Sequence, residues 1–328
     1  MKTPRFVQLA MLAMLVFGGA ETAVADPIYS YTTINVPGVN GIDPHGINSS
    51  GQIVGSFVPP GCSPMTPCRS GFLYADGVFT VIDDPHASHL TYATGINDSG
   101  QIVGNLGFIA SFLYTGGSFT DFSKLGARQT IAIGINDSGQ IVGEFDDGLG
   151  PVGPDHGFLY SGGSFTTIDD PVGVATNAAA INNRGQIVGD FFDATHNTHG
   201  FLDAGGIFTT IDFPGAARSL PTGINDQGEI VGWSSDAFGV NRHSFLDSGG
   251  VFTPIDFPGA TLTMAFGIND SGQIVGDYYD ASGQHGFLAT PVATPEPSSL
   301  VALATCLVAL FGIAWHRRRA SDGRRPLA

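Results

Sequence analysis

Four short apolar segments recur in a fixed order along most of the chain, separated by polar and glycine-rich turns. The first ends in Gly-Ile-Asn, the second reads Gln-Ile-Val-Gly, the third Gly-Phe-Leu-Tyr and the fourth Phe-Thr-Thr-Ile-Asp, as between Gly134 and Asp169. Each is four to six residues long and rich in Ile, Val, Phe and Thr, which favours strands over helices. No amphipathic helical pattern lies between them. Asn97-Asp98-Ser99-Gly100 and its counterparts tolerate positive φ and bond their own backbone, so they predict a hairpin between the first and second segments. Gly162-Gly163, Gly205-Gly206 and Gly249-Gly250 predict the hairpin between the third and fourth.

The phrase from Gly-Ile-Asn to Ile-Val-Gly has six copies: Gly46–Gly55, Gly95–Gly104, Gly134–Gly143, Ala180–Gly189, Gly223–Gly232 and Gly267–Gly276. Their asparagines, Asn48, Asn97, Asn136, Asn182, Asn225 and Asn269, are 49, 39, 46, 43 and 44 residues apart, a period suited to a four-stranded propeller blade. The last copy stops at Gly286-Phe287-Leu288-Ala289 without its fourth segment, while Tyr31-Thr32-Thr33-Ile34-Asn35 is that segment, placed before the first copy. A closed ring uses both irregularities, because the N-terminal strand completes the last blade and removes exposed edges. The expected fold is therefore all-β: a six-bladed β-propeller of four-stranded blades over residues 26–290, closed by the N-terminal strand.

The two ends follow other patterns. Lys2 and Arg5, an apolar run from Phe6 to Ala20, and Ala23-Val24-Ala25 have the layout of a signal peptide over residues 1–25, with an uncleaved anchor as the alternative. A linker over 291–298 carries Pro295, Glu296 and Pro297. An apolar stretch over 299–316 predicts a single transmembrane helix, and residues 317–328 form a basic tail with Arg317, Arg318 and Arg319. The positive-inside rule leaves that tail cytoplasmic and everything before Ser298 outside the inner membrane.

Charge narrows the partners. The formal net charge is −16, but seven of the thirteen basic residues lie in the end segments, and between Asp26 and Pro297 27 acids against 6 bases give −21. Such a domain repels nucleic acid, which excludes that class of partner, and repels anionic polysaccharide unless cations bridge the two. Cys62 and Cys68 flank one short insertion and can pair in an oxidising compartment, a local staple of about 2 kcal/mol; a metal pair is the weaker reading, since no histidine lies within the loop.

Candidate chemistry is sparse. His156, His199, His243 and His285 hold one repeat position, where a strand cap or a bond to the neighbouring blade competes with a metal site on the axis. Acids follow Ile-Val-Gly in three copies, and Asp146, Asp147, Asp190, Asp193, Asp277 and Asp280 are candidate Ca²⁺ ligands, against the reading of a solvated acidic rim. Asp83-Asp84 and Asp169-Asp170 cannot act alone as glycosidase pairs, because adjacent strand residues point to opposite faces. No nucleophile elbow, zincin motif or phosphate loop is present. A non-enzymatic chain without a cofactor, Ca²⁺ aside, is expected.

Pro295-Glu296-Pro297, the single span and the arginine cluster together resemble the PEP-CTERM sorting signal of Gram-negative bacteria. That resemblance implies an exosortase-type transpeptidase as partner and delivery to the outer surface or exopolysaccharide matrix; a permanent anchor is the alternative. Gly-Ile-Asn-Asp-Ser-Gly-Gln-Ile-Val-Gly with His-Gly-Phe-Leu-Tyr resembles the extracellular HAF repeat of bacterial surface proteins, with Gly in place of the middle Ala in most copies, Ser244 in one, and Ser111 lacking the preceding His. The expected function is that of an exported, surface- or matrix-associated scaffold that binds exopolysaccharide or other surface proteins. The alternative is a secreted polysaccharide hydrolase or lyase with a site in the propeller channel.

Overall fold

The computed structural model describes residues 28–292, apart from 37, 63–67, 86, 88, 89, 108, 109 and 149–155. The expectations for residues 1–25, Pro295-Glu296-Pro297, the span over 299–316 and Arg317, Arg318 and Arg319 therefore lie outside the described residues. The chain divides into a body, Tyr29–Pro291, and a second unit of the two chain ends, Met1–Ile28 with Val292–Ala328.

Every regular element among the described residues is a strand. After β1 (Ile28–Ile34) come β2 (Asn40–Ile47), β3 (Ile53–Val58), β4 (Ser70–Ala75) and β5 (Val78–Ile82), a four-stranded antiparallel sheet in sequence order. The same arrangement recurs in β6 (Thr91–Ile96), β7 (Ile102–Leu106), β8 (Ala110–Thr115) and β9 (Ser118–Phe122). It recurs in β10 (Gln129–Ile135), β11 (Ile141–Asp146), β12 (His156–Ser161) and β13 (Ser164–Ile168). The next two copies are β14 (Ala175–Ile181), β15 (Gln186–Phe192), β16 (Thr198–Ala204) and β17 (Phe208–Ile211), then β18 (Arg218–Ile224), β19 (Glu229–Ser235), β20 (His243–Ser248) and β21 (Val251–Pro254). One parallel pair, Thr198 with Arg218, joins these two copies into a single eight-stranded sheet. In the last sheet β22 (Leu262–Ile268), β23 (Ile274–Asp280) and β24 (Gly283–Val292) take β1 as the outermost strand.

The repeated residues hold repeated places. Phe72, Phe112, Phe158, Phe201, Phe245 and Phe287, each in the third strand of its sheet, are fully buried. Burying each one is worth about 1.5–3 kcal/mol. The valine of each Ile-Val-Gly packs into the core of the following sheet: Val54 joins Ala93 and Phe112, Val103 joins Ala132 and Phe158, and Val275 joins Ile53 and Phe72 of the first sheet. The glycine beside it has a steric cause. A Cβ on Gly143 would land on the carbonyl oxygen of Ile131, where the first strand bulges between Ala132 and Gly134.

Candidate functional site

The first strands of the sheets, β2, β6, β10, β14, β18 and β22, line a channel with a cavity volume of about 250 Å³. Its two ends are built differently. At one end each repeated asparagine donates from Nδ2 to the main-chain carbonyl of the next copy's asparagine, from Asn48 to Asn97, Asn136, Asn182, Asn225 and Asn269, over 3.0–3.3 Å. Asn269 donates to Asn48 at 3.0 Å, which closes the circuit. Each Oδ1 accepts the amide N–H four residues on, as Asn136 does from Gln140 at 3.0 Å. The residue after five of the six asparagines extends the pattern outward: Asp98, Asp137, Asn183, Asp226 and Asp270 each accept, through Oδ1, a main-chain N–H of the preceding copy at 2.8 Å, while Ser49 follows Asn48. The acids at this mouth are thus already held by neighbouring copies.

In an antiparallel sheet, the turns between strands one and two and between three and four lie at one end, so the longer connections emerge at the other. There the copies differ. The channel lining immediately before each Gly-Ile-Asn, or Ala-Ile-Asn in the fourth copy, is His45, Thr94, Ile133, Ala179, Thr222 and Phe266. Two residues earlier stand Asp43, Tyr92, Ile131, Asn177, Leu220 and Met264, paired across the ladder with Ser56, Asn105, Glu144, Asp190, Trp233 and Asp277.

The densest chemistry lies where the first and last sheets meet. Asp43 Oδ2 is 3.5 Å from His45 Nε2 and 3.4 Å from Arg69 Nη1, which also donates to Ser56 Oγ at 3.1 Å. Burial alone would raise the Asp43 pKa, but His45 and Arg69 outweigh it and hold the carboxyl below its ordinary value. Burial opposes charge on His45, and Asp43 overrides it to raise the imidazole. Asp277 is 1% exposed; Gln284 Nε2 donates to its Oδ2 at 2.5 Å, and its Oδ1 has no partner among the described residues. Burial and then Asp43 push it up to about 7. A second acidic locus joins Glu144, pushed up to about 7 by burial and then by Asp190, to Asp190 itself, which burial also pushes up to about 7. Asn177, which lines the channel, donates to Asp190 at 3.2 Å and leaves its own buried Oδ1 unpaired among the described residues.

The residues expected to carry chemistry are dispersed. The acids after Ile-Val-Gly stand mostly within β11, β15 and β23 instead of on loops, because the second strand runs on past the glycine. Asp190 and Asp277 consequently turn inward. Asp146 is held by Arg128 at 2.6 Å and Gly148 N at 2.7 Å, while Asp193 accepts from Thr195 and Asn197 and Asp280 from Ser282. Among the described residues no group of three or more His, Cys, Asp or Glu side chains is placed to hold a metal ion. His156, His199 and His243 bond within their own sheets, Nδ1 to Asp169, Asp212 and Asp256 at 2.9 Å, and not to a neighbouring sheet. His285 turns to Asp280 and Ser282, since Asn35, just after β1, stands where the other copies have that aspartate. Asp147 lies 3.7 Å from His156 Nε2. Cys62 and Cys68 are bonded, Cα atoms 5.7 Å apart, on the connection between β3 and β4.

Sequence reasoning passed over Asp43, His45, Arg69, Arg242 and Gln284. Their signal is departure from the repeat: Asp43-Pro44-His45 stands where other copies read Ile-Ala-Ile or Asn-Ala-Ala.

No protein-family model matches the chain, and no curated protein matches it. Among solved structures it is similar to a gluconolactonase from Xanthomonas campestris, with TM-score 0.49 and 16% identity over 77% of this chain and 87% of that one. It is also similar to the β-propeller domain of the Trilobed protease from Pyrococcus furiosus, with TM-score 0.47 and 12% identity over 75% and 78% of the two chains. The Aleuria aurantia lectin gives TM-score 0.44 and 12% identity over 77% and 97%. These are distant likenesses of arrangement and assign no ligand or reaction to this chain. The class is an all-β protein of repeated four-stranded antiparallel sheets with β-propeller structural neighbours.

Proposed function

We propose that this chain is an exported, surface- or matrix-associated binding scaffold: a six-bladed β-propeller, closed by its N-terminal strand, that meets its ligand at the non-repeating end of the channel. The observation that carries the reading is the asymmetry of that channel. One end spends six similar asparagines on closing the ring, while the other exposes a different set of side chains in every copy. The strand order, with β1 outermost in the last sheet, supports closure by the N-terminal strand. Export rests on residues 1–25, sorting on Pro295-Glu296-Pro297 with Arg317, Arg318 and Arg319, and the bonded Cys62 and Cys68 fit an oxidising compartment.

The test is capture of matrix polysaccharide from the producing strain by the purified protein, which should be lost on substituting the non-repeating end and kept on substituting the Asn-Asp turns. No capture by the unaltered protein contradicts the scaffold reading. Mass spectrometry of the surface-bound form should find a chain lacking the residues after the Pro-Glu-Pro motif if a transpeptidase processes it. One observation favours a second reading, a polysaccharide hydrolase or lyase: Glu144, Asp190 and Asp277 near the channel have pKa values raised to about 7, the range of a general acid. Turnover in a polysaccharide screen, abolished by Asp277→Asn, would establish it.

A further inference from the structure

Of the six basic residues between Asp26 and Pro297, Arg69 and Arg242 hold the same repeat position, three residues before the buried phenylalanine of the third strand, Phe72 and Phe245. They come from the two sheets that flank the last one in chain order around the ring, and the last sheet itself has Gln284 at this position. All three reach toward one place. Arg69 extends to Asp43 on β2, Arg242 Nη1 donates to Met264 Sδ on β22 at 3.2 Å, and Gln284 donates to Asp277 on β23. Tyr279 lies within electrostatic reach of Asp277, Asp43, Arg69 and Arg242 together. His45 completes the arc from the channel wall, its ring 5.0 Å from that of Phe266.

We propose that this arc of Arg242, Gln284, Arg69 and His45 binds the carboxylate of a small organic or sugar acid at the non-repeating end of the channel. The inference rests on the reading of that end as the binding face and adds the chemistry of the ligand. Its geometry is that of donors in excess. Among the described residues, the Arg69 guanidinium donates only through Nη1, and that of Arg242 only through Nε, to Gly239 O at 3.1 Å, and Nη1, so each guanidinium keeps hydrogen-bond donors for a ligand. A planar fork of this kind matches a carboxylate. The local charge agrees: against two guanidiniums and a raised His45, Asp43 is ionised, whereas buried Asp277 holds its proton up to about 7. The remainder of the domain is strongly acidic, but charges farther than about 10 Å are largely screened at 0.1 M salt. Aromatic rings back two of the donors, Phe266 against the His45 ring and Trp233 under the Arg242 guanidinium at 4.9 Å.

The test is calorimetric titration of the full-length chain with glucuronate, with glucose as the uncharged counterpart, and with alginate as a polymer of uronates. Glucuronate or alginate should bind and glucose should not; binding of the monomer points to a free acid, and binding of the polymer alone to uronates within a chain. Arg242→Gln should weaken binding about tenfold, the order expected for one charge-assisted pair, while Arg184→Gln outside the arc changes nothing. Equal binding of glucose, no binding of either acid, or an unaltered affinity in a folded Arg242→Gln protein would overturn the proposal. The glucose comparison uses the unaltered chain and so stands even where a variant fails to fold. Capture of matrix polysaccharide that neither glucuronate nor alginate competes away sinks the carboxylate site and leaves the scaffold reading intact, whereas absence of any capture sinks the scaffold reading itself.

Discussion

The two ends of one channel obey different rules. At the asparagine end every copy makes the same Nδ2 bond to the next, so the repeated asparagines are used in linking the copies, and the acids of the Asn-Asp turns are held by neighbouring amides. At the other end corresponding positions carry His, Thr, Ile, Ala and Phe, and buried acceptors on Asn105, Asn177 and Asp277 stand without partners among the described residues. Repetition therefore marks the positions that hold the ring together, and its absence marks where a ligand can be met.

The largest expected effect probes the repeated architecture. Gly143→Ala should destabilise the protein by about 3 kcal/mol or more in urea unfolding, because its Cβ meets the Ile131 carbonyl, and the equivalent change at Gly189 should cost about the same. Next come two asparagines that contrast the ends. Asn136→Ala removes bonds to Gln140, Ser138 and Asn182 and should cost about 2–3 kcal/mol. Asn105→Ala, whose Oδ1 already lacks a partner among the described residues, should cost under about 1 kcal/mol. Equal losses at the two asparagines would break the comparison.

Stability should also depend on pH through the non-repeating end. Glu144, Asp190 and Asp277 have folded pKa values raised to about 7, so the folded state holds protons that the unfolded chain releases above the ordinary carboxylate range. Their contribution is complete below about pH 4 and is lost as pH rises through 7. Raised His199 adds loss in the same direction, while Asp146, Asp193 and Asp280, held low by hydrogen bonds, weaken the fold only on the acid side. The urea midpoint should thus be higher at pH 5 than at pH 8, and Asp190→Asn should flatten the difference. The smallest effect belongs to the outer pairs: His156→Ala removes an exposed contact to Asp169 and should cost less than about 1 kcal/mol by thermal unfolding.

The strands, both kinds of hairpin and the recurrence of Phe and Val in the core were legible because each depends on residues near in sequence. The place of β1 was legible from a missing fourth segment. The cluster around Asp43 was not, for two physical reasons. Its partners come from the two ends of the repeat array, Asp43 from the first sheet and Asp277 from the last, and are far apart in sequence. Its residues are also those in which the repeat fails, and a reading built on recurrence passes over them. The acids after Ile-Val-Gly were misplaced for a third reason: the second strand continues beyond its glycine, so alternation along the strand turns Asp190 and Asp277 inward where a loop would have left them in water.

The most direct test of the two-ended account is amide hydrogen exchange of the intact protein with and without bound matrix polysaccharide. Protection should rise at the non-repeating end, in residues 193–197, 236–242 and the start of β2, and stay unchanged in the turns at Asn97–Gly100, Asn136–Gly139 and Asn269–Gly272. Protection concentrated in those asparagine turns would contradict the account.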